Sequence, residues 1–368
     1  MITPFGFRHI WLMRELQSAT IELDLESALL EEPSSPLRAA LQGYFLKSRA
    51  GVVTYVLRTP DRAKSLCGFV QVRAQRPAVP WVGNKPGPAW RIVRIAPVLD
   101  HSEDAATIWY RLLLHLCIAA GERQVQRLIA RMPEGSAAED VFRQASFVPY
   151  CHERVYRRLP HHTDRETSPR QTEGDTSPRQ THGDTSAGEN ADSLSPRIRP
   201  MQSEDCLDVR RLWHRVTPRP VQQAEEFDNP RGSSLPFEAL FSNAEQSCLL
   251  RSPDGEAWGY LHILLRPRGV WLRMVMHPDA RDCTAGILDH ALAMLEYHTL
   301  PTYCAVREYE GGTQSVLEAR GFAPVDSYSL LVKHTTVRVR EPRRKLVPAL
   351  EKRVEVAPTV SRSEAADR

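Results

Sequence analysis

Cysteine is sparse in this chain of 368 residues, and the seven that occur are widely scattered, at positions 67, 117, 151, 206, 248, 283 and 304. No two have Cys-x-x-Cys spacing, which excludes the usual sequence pattern of a zinc site or a dithiol redox motif. An odd count without framework spacing fits reduced thiols, and so a reducing compartment. Long apolar runs are also missing: no stretch approaches the roughly 18 residues that a membrane helix needs. The opening MITPFGFRHIWLMRELQS has neither a continuous apolar core nor a small-residue cleavage site, so it does not read as a signal peptide. A dominant charge is absent too. Lys and Arg number 48 against 45 Asp and Glu, a net charge of +3 that is too mild to signal nucleic acid. The pair His161-His162 has no further ligands nearby and reads as two solvated side chains, so no metal is expected. The expectation is a cytoplasmic protein with no membrane contact and no metal.

What is present is apolar content enough for real cores, 42% of the chain, over a length that suggests two domains. The clearest boundary is residues 161–196. This stretch has almost no large apolar residues and carries a near repeat, TSPRQTEGD then TSPRQTHGD. Such a composition cannot bury enough surface to offset its chain entropy, so a disordered linker is expected. Residues 337–368 include VRVREPRRKLVPALEKRVE and read as a basic flexible tail, with a nucleic-acid or partner contact as the minor alternative. Two domains follow, 1–160 and 197–336.

Their elements come in the same order. In the first, GFVQVRAQ alternates with Val70, Val72 and Ala74 on one face, and a second strand ends at Pro97. HSEDAATIWYRLLLHLCIAAG reads as a helix with Ser102 at its N-cap and Gly121 at its C-cap. A strand, a short helix ending near Phe147 and a last strand follow. The second domain opens on RIRPMQSEDCLDVRRLWHRV, a strand then a helix capped by Ser203, with Val209, Leu212 and Trp213 as its apolar stripe. Three strands with turns at 253–255 and 267–269 come next, then a helix over 285–298, a strand, a short helix ending at Gly321-Phe322, and closing strands. The spacing supports a diverged tandem repeat: Pro97 to Phe147 and Pro278 to Phe322 each enclose helix, strand, helix and a closing phenylalanine.

Three stretches of the second domain, IRPMQSEDCLDVRRLW, VMHPDARDCTAGILDHAL and VLEARGF, resemble the GNAT superfamily of acyl-CoA-dependent N-acetyltransferases. The resemblance covers about residues 197–334 and, more loosely, 7–159. It implies an α/β (α+β) fold of two tandem domains, each a mixed, mostly antiparallel twisted sheet flanked by helices. It also implies acyl transfer from acetyl-CoA, or another acyl-CoA, to an amine on a small molecule, a protein N-terminus or a lysine. The carrier's pantetheine arm would lie between the strands at 270–276 and 302–307. Its pyrophosphate would meet Val275, Met276, Arg281, Asp282, Cys283, Thr284, Ala285 and Gly286, at a helix N-terminus where backbone N–H groups favour phosphate. Glu308 or Glu310, directly or through a water, and His277 are candidate bases, and Tyr309 a candidate hydroxyl acid.

Departures from the family pattern keep a second reading open. Glycine is short in the loop: Asp282 and Thr284 stand where the family has small residues, and only Gly286 matches. The position of the family's acidic tyrosine holds Leu317, and its first-domain counterpart is Phe142. The first-domain loop carries Asp100, Glu103 and Asp104 and no arginine, which repels a pyrophosphate. The alternative is a non-catalytic GNAT-like sensor or interaction scaffold.

Overall fold

A computed structural model describes residues 1–46, 52–59, 67–74, 89–160, 198–225 and 245–335. The expected linker at 161–196 and the expected basic tail at 337–368 lie outside the described residues. In the first lobe the elements are β1 (Ile2–Pro4), α1 (Ile10–Glu15), β2 (Ile21–Glu22), α2 (Leu25–Leu30), α3 (Pro36–Leu46), β3 (Val52–Arg58), β4 (Cys67–Ala74), β5 (Ala89–Ala96), α4 (Ala105–Glu122), β6 (Arg127–Pro133), α5 (Ala137–Gln144) and β7 (Val148–Arg158). The second lobe has β8 (Ile198–Pro200), α6 (Cys206–Val216), α7 (Arg219–Glu225), β9 (Glu245–Arg251), β10 (Ala257–Arg266), β11 (Gly269–Met276), α8 (Thr284–Met294), β12 (Thr302–Arg307), α9 (Thr313–Glu318) and β13 (Ala323–His334). Among the described residues no helix is long and apolar enough to cross a membrane.

Both lobes share one sheet, in the order β1-β3-β4-β5-β6-β13-β7-β12-β11-β10-β9-β8, with β2 added against β5. The order is pseudo-symmetric about the β7–β13 pair. In each lobe an antiparallel hairpin, β4–β5 or β10–β11, leads to a parallel neighbour, β6 or β12. The closing strands are exchanged: β13 pairs with β6 of the first lobe, and β7 with β12 of the second. The cores record the exchange. Leu331 of β13 packs in the first-lobe core with Trp109, Leu112 and Leu116 of α4, while Tyr156 of β7 packs in the second-lobe core with Ile287 and Leu288 of α8.

Helical periodicity explains the position of α4, whose buried residues Ala105, Ile108, Trp109, Leu112, Leu113, Leu116 and Ala120 recur three and four apart on one face. Val70 and Val72 join that core as their alternation predicts. The opposite face of β4 is buried as well, through Phe69 against α1 and α3 and through Gln71, which donates to Pro36 O and Thr54 Oγ1.

Four expected helix boundaries differ. Asp104, not Ser102, precedes α4, and Gly121 lies inside that helix, whose cap is Arg123. The helix expected over 285–298 runs Thr284–Met294. Ser203 opens a 3-10 turn ahead of α6, and the organising side chain there is Asp205. Its carboxylate accepts from Gln202 N–H, from both Arg199 terminal nitrogens and from Arg251. A buried carboxylate offered that many donors outcompetes an exposed serine hydroxyl.

The two helix ends that precede the closing strands are alike. Phe147 N–H donates to Phe142 O, and Phe322 N–H to Leu317 O, at 3.0 and 3.1 Å. The residue before each phenylalanine is left-handed: Gly321 at φ 79°, and Ser146 at φ 63°. The same turn thus recurs with glycine in one lobe and serine in the other.

Candidate functional site

In each lobe a parallel strand pair opens. β11 pairs with β12 at Val270–Thr302, Trp271–Tyr303 and Leu272–Cys304, and not beyond. β5 pairs with β6 at Ala89–Arg127, Trp90–Leu128 and Arg91–Ile129, and not beyond. The register places Ala89 with Val270 and Pro97 with Pro278, so the two openings occupy equivalent positions in the repeat.

The openings are filled differently. In the second lobe, the edge of β11 from Arg273 to Met276 has no strand partner on its β12 side among the described residues. A side chain spans the mouth of the opening instead. Arg273, the first residue past the pairing, donates to Ala305 O at 3.1 Å and holds Glu310 through two contacts, at 2.5 and 3.0 Å. In the first lobe, β2 lies against β5, pairing Ile21 with Ile95 and Glu22 with Arg94. β5 also carries a β-bulge: Gln71 faces Arg94 and Val72 faces Ile92, leaving Val93 unpaired on that side. The β10–β11 pair runs without a register shift, so the second lobe lacks this bulge.

The loop after β11 winds into 3-10 turns over Pro278–Cys283 and runs into α8. His277 caps it. Its Nδ1 accepts from Asp279 N–H at 3.2 Å, and the His277 backbone N–H donates to Trp258 O at 2.7 Å. Ala280 N–H donates to His277 O, and Thr284 N–H to Arg281 O. These bonds occupy backbone donors that a glycine-rich phosphate loop would leave free. Arg281 and Asp282 are exposed, Cys283, Ala285 and Gly286 half-buried and Thr284 buried, while Val275 is buried and Met276 half-buried on β11. Arg281 has no ion-pair partner among the described residues.

The candidate catalytic residues fall in three places. His277 belongs to the loop cap. Glu308 is exposed at the end of β12, where its carboxylate accepts from His152 N–H at 3.3 Å. Tyr309 and Glu310 come together beside the strand opening. Tyr309 Oη lies 3.1 Å from Arg307 Nη1, and Glu310 accepts from Arg307 N–H at 3.0 Å. Leu317 and Phe142, at the position of the family tyrosine, are core residues.

Around Tyr309 and Glu310 lies a buried charge network that sequence reasoning missed. Arg307 is bidentate to Glu225 of α7, at 2.6 and 3.1 Å, and its Nε approaches Glu153 at 3.7 Å. Arg131 reaches Glu153 at 2.8 Å, and Tyr150 donates to Glu225 at 3.0 Å. Buried Trp213 lies within 5.6 Å of the Arg273 guanidinium and 5.7 Å of that of Arg307. Burial pulls the Arg273 pKa down, but the Glu310 carboxylate outweighs it and the net shift is upward. Burial would raise the Glu153 pKa, yet Arg131 and Arg307 hold it below the usual glutamate range. Burial, then the neighbouring Glu225 carboxylate, pushes the Tyr150 phenol upward, so it stays a neutral donor. The available signal was an arginine inside an apolar strand, in VWLRMVM, YCAVRE and RLIARMP. Such a residue is retained only when a partner neutralises it.

No family model and no curated protein sequence matches the chain. Solved structures of similar architecture include a tandem GNAT protein from the clavulanic acid biosynthesis pathway, determined without acetyl-CoA. It is 12% identical, with 92% of this chain and 99% of that chain covered and a TM-score of 0.46. A GCN5-related N-acetyltransferase from Sphaerobacter thermophilus is 11% identical, covering 92% of this chain and 97% of its own, with a TM-score of 0.49. A protein described as a putative acetyltransferase from Pyrococcus horikoshii is 10% identical, covering 92% and 90%, with a TM-score of 0.43. Each is a likeness of fold at low identity.

Proposed function

We propose that this chain is a two-lobed member of the GNAT superfamily, an acyl-CoA-dependent N-acyltransferase of the cytoplasm whose second lobe alone holds the acyl carrier. One observation carries the reading: past Leu272 the β12-side edge of β11 is unpaired among the described residues, and the strand leads straight into the loop and helix that present Arg281. An unpaired strand edge offers backbone donors and acceptors to an amide-bearing arm, as in strand addition. Arg281 and the α8 N-terminus suit a phosphate beyond it. The residues fit the group in these respects. Asp282, and the loop donors already used within the 3-10 turns, weaken the fit.

Bound acyl-CoA would supply a thioester carbon to which an amine adds, the C–S bond breaking and the thiolate taking a proton. In this reading Glu310 and Tyr309 orient the amine beside the strand opening, and Arg273 holds Glu310 in place. Glu308, at the exposed end of β12, is the carboxylate left to accept the amine's proton through water. His277 shapes the loop. The acceptor is an amine small enough, or borne on a chain slender enough, to reach this place.

A second reading has one observation in its favour. Glu310, Glu225 and Glu153 are all paired with arginines, and a carboxylate held in an ion pair is a weak base. On that reading the second lobe binds acyl-CoA without turning it over. Thiol release from acetyl-CoA across a panel of amines separates the two. Transfer predicts release that falls by at least about a hundredfold in Glu308→Gln, the low end of the range attributed to a general base. Release no faster than in the protein-free blank sinks the enzymatic reading and leaves the binding one.

A further inference from the structure

The first-lobe opening already has an occupant. β2 lies along the part of β5 that β6 leaves, so the chain's own segment from Ala19 to Asp24 takes the place that, in the second lobe, no strand fills among the described residues. Its backbone bonds are those of an added strand. Leu23 N–H donates to Val93 O at 2.8 Å, and Val98 N–H donates to Ala19 O at 2.7 Å. Val93 is the bulged residue that has no register partner in β4, and its carbonyl is taken up by the segment.

Side chains fix the C-terminal half of the segment. Glu22 is ion-paired with buried Arg94, which also donates to Gln71 Oε1 at 3.2 Å and to Ser34 Oγ at 2.6 Å. Asp24 accepts from Arg73 at 2.7 Å and from Ser27 Oγ at 3.0 Å. Between them Leu23 is 5% exposed and belongs to the first-lobe core with Tyr55, Val70 and Ile92. A ligand entering this opening would have to remove an apolar anchor, two ion pairs and the strand bonds together.

We propose that residues 19–24 are a permanent internal ligand of the first lobe, mimicking the strand-like arm of an acyl carrier and barring acyl-CoA from that lobe. The chain therefore binds one acyl carrier, not two. The identity of the excluded ligand rests on the function proposed above; the permanence of the occupant does not.

Two measurements on the full chain test this. Hydrogen exchange followed at single amides should find Leu23 and Val98 protected to within about tenfold of the β5 amides bonded to β4, because they open only with the core. Addition of acetyl-CoA should leave both unchanged. Exchange at Leu23 a hundredfold or more faster than in β5, or a change at either amide on adding acetyl-CoA, would overturn the proposal. Equilibrium dialysis with acetyl-CoA should give one site per chain, and none in Arg281→Ala. Two sites, or one surviving in Arg281→Ala, likewise overturn it. No binding at all refutes the proposed function, and exchange at Leu23 and Val98 still decides whether the occupant is permanent.

Discussion

Arg273 sits one residue beyond the last paired position of β11, and its guanidinium meets the Ala305 carbonyl and Glu310 where a neighbouring backbone would otherwise stand. Removing it leaves Glu310, half-buried in this cluster, without its partner. Breaking one side of a buried pair costs about 3–5 kcal/mol, whereas replacing both partners with neutral groups is often close to neutral. Arg273→Met should therefore lower stability in urea unfolding by several kcal/mol, and Arg273→Met with Glu310→Gln should recover much of that loss. Additive losses in the double variant would show that the pair is not coupled. The loop and its arginine were legible from the sequence because strand, polar turn and helix follow one another within a dozen residues. The network was not. Arg307 and Glu225 are 82 positions apart, and no local pattern names a partner at that distance.

At the level of elements, the repeat is clearest where its two copies use different residues for one turn. Gly321 adopts φ 79° at no steric cost, but Ser146 adopts φ 63° with a Cβ, a conformation disfavoured by roughly 1–2 kcal/mol in L-residues. Ser146→Gly should raise the unfolding free energy by about 0.5–1 kcal/mol, net of the added freedom of the unfolded chain. A loss of stability in thermal unfolding would mean that the Ser146 side chain contributes something the turn geometry does not reveal. From β4 to β7, and through the second lobe apart from α7, the order of strands and helices was readable from alternation, helical spacing and the closing phenylalanines, whereas the elements before β4 were not read. The destinations of β7 and β13 were not, because alternation specifies which face a strand buries but not which strand lies beside it. β2 escaped notice for a plainer reason: two residues are too few to show a period.

For the whole molecule, the exchange of closing strands makes the two lobes parts of one sheet. β13 sits between β6 and β7, and β7 between β13 and β12. A chain cut at about residue 180, beyond β7 and before β8, should remain a one-to-one assembly through native size exclusion, since each part supplies the strand that completes the other's sheet. Two stable, separate monomers would show that each part can reclaim its own closing strand. The sheet also shows how two lobes of one architecture can differ in what fills them. An opened parallel pair recurs in both, yet among the described residues one copy is closed by the chain's own backbone and the other is spanned by a side chain.

Calorimetric titration of the intact protein with acetyl-CoA measures that difference. Saturable heat with one site per chain, lost when Arg281 is changed to alanine, is the expected result. No heat at millimolar acetyl-CoA, or identical binding in Arg281→Ala, would contradict it.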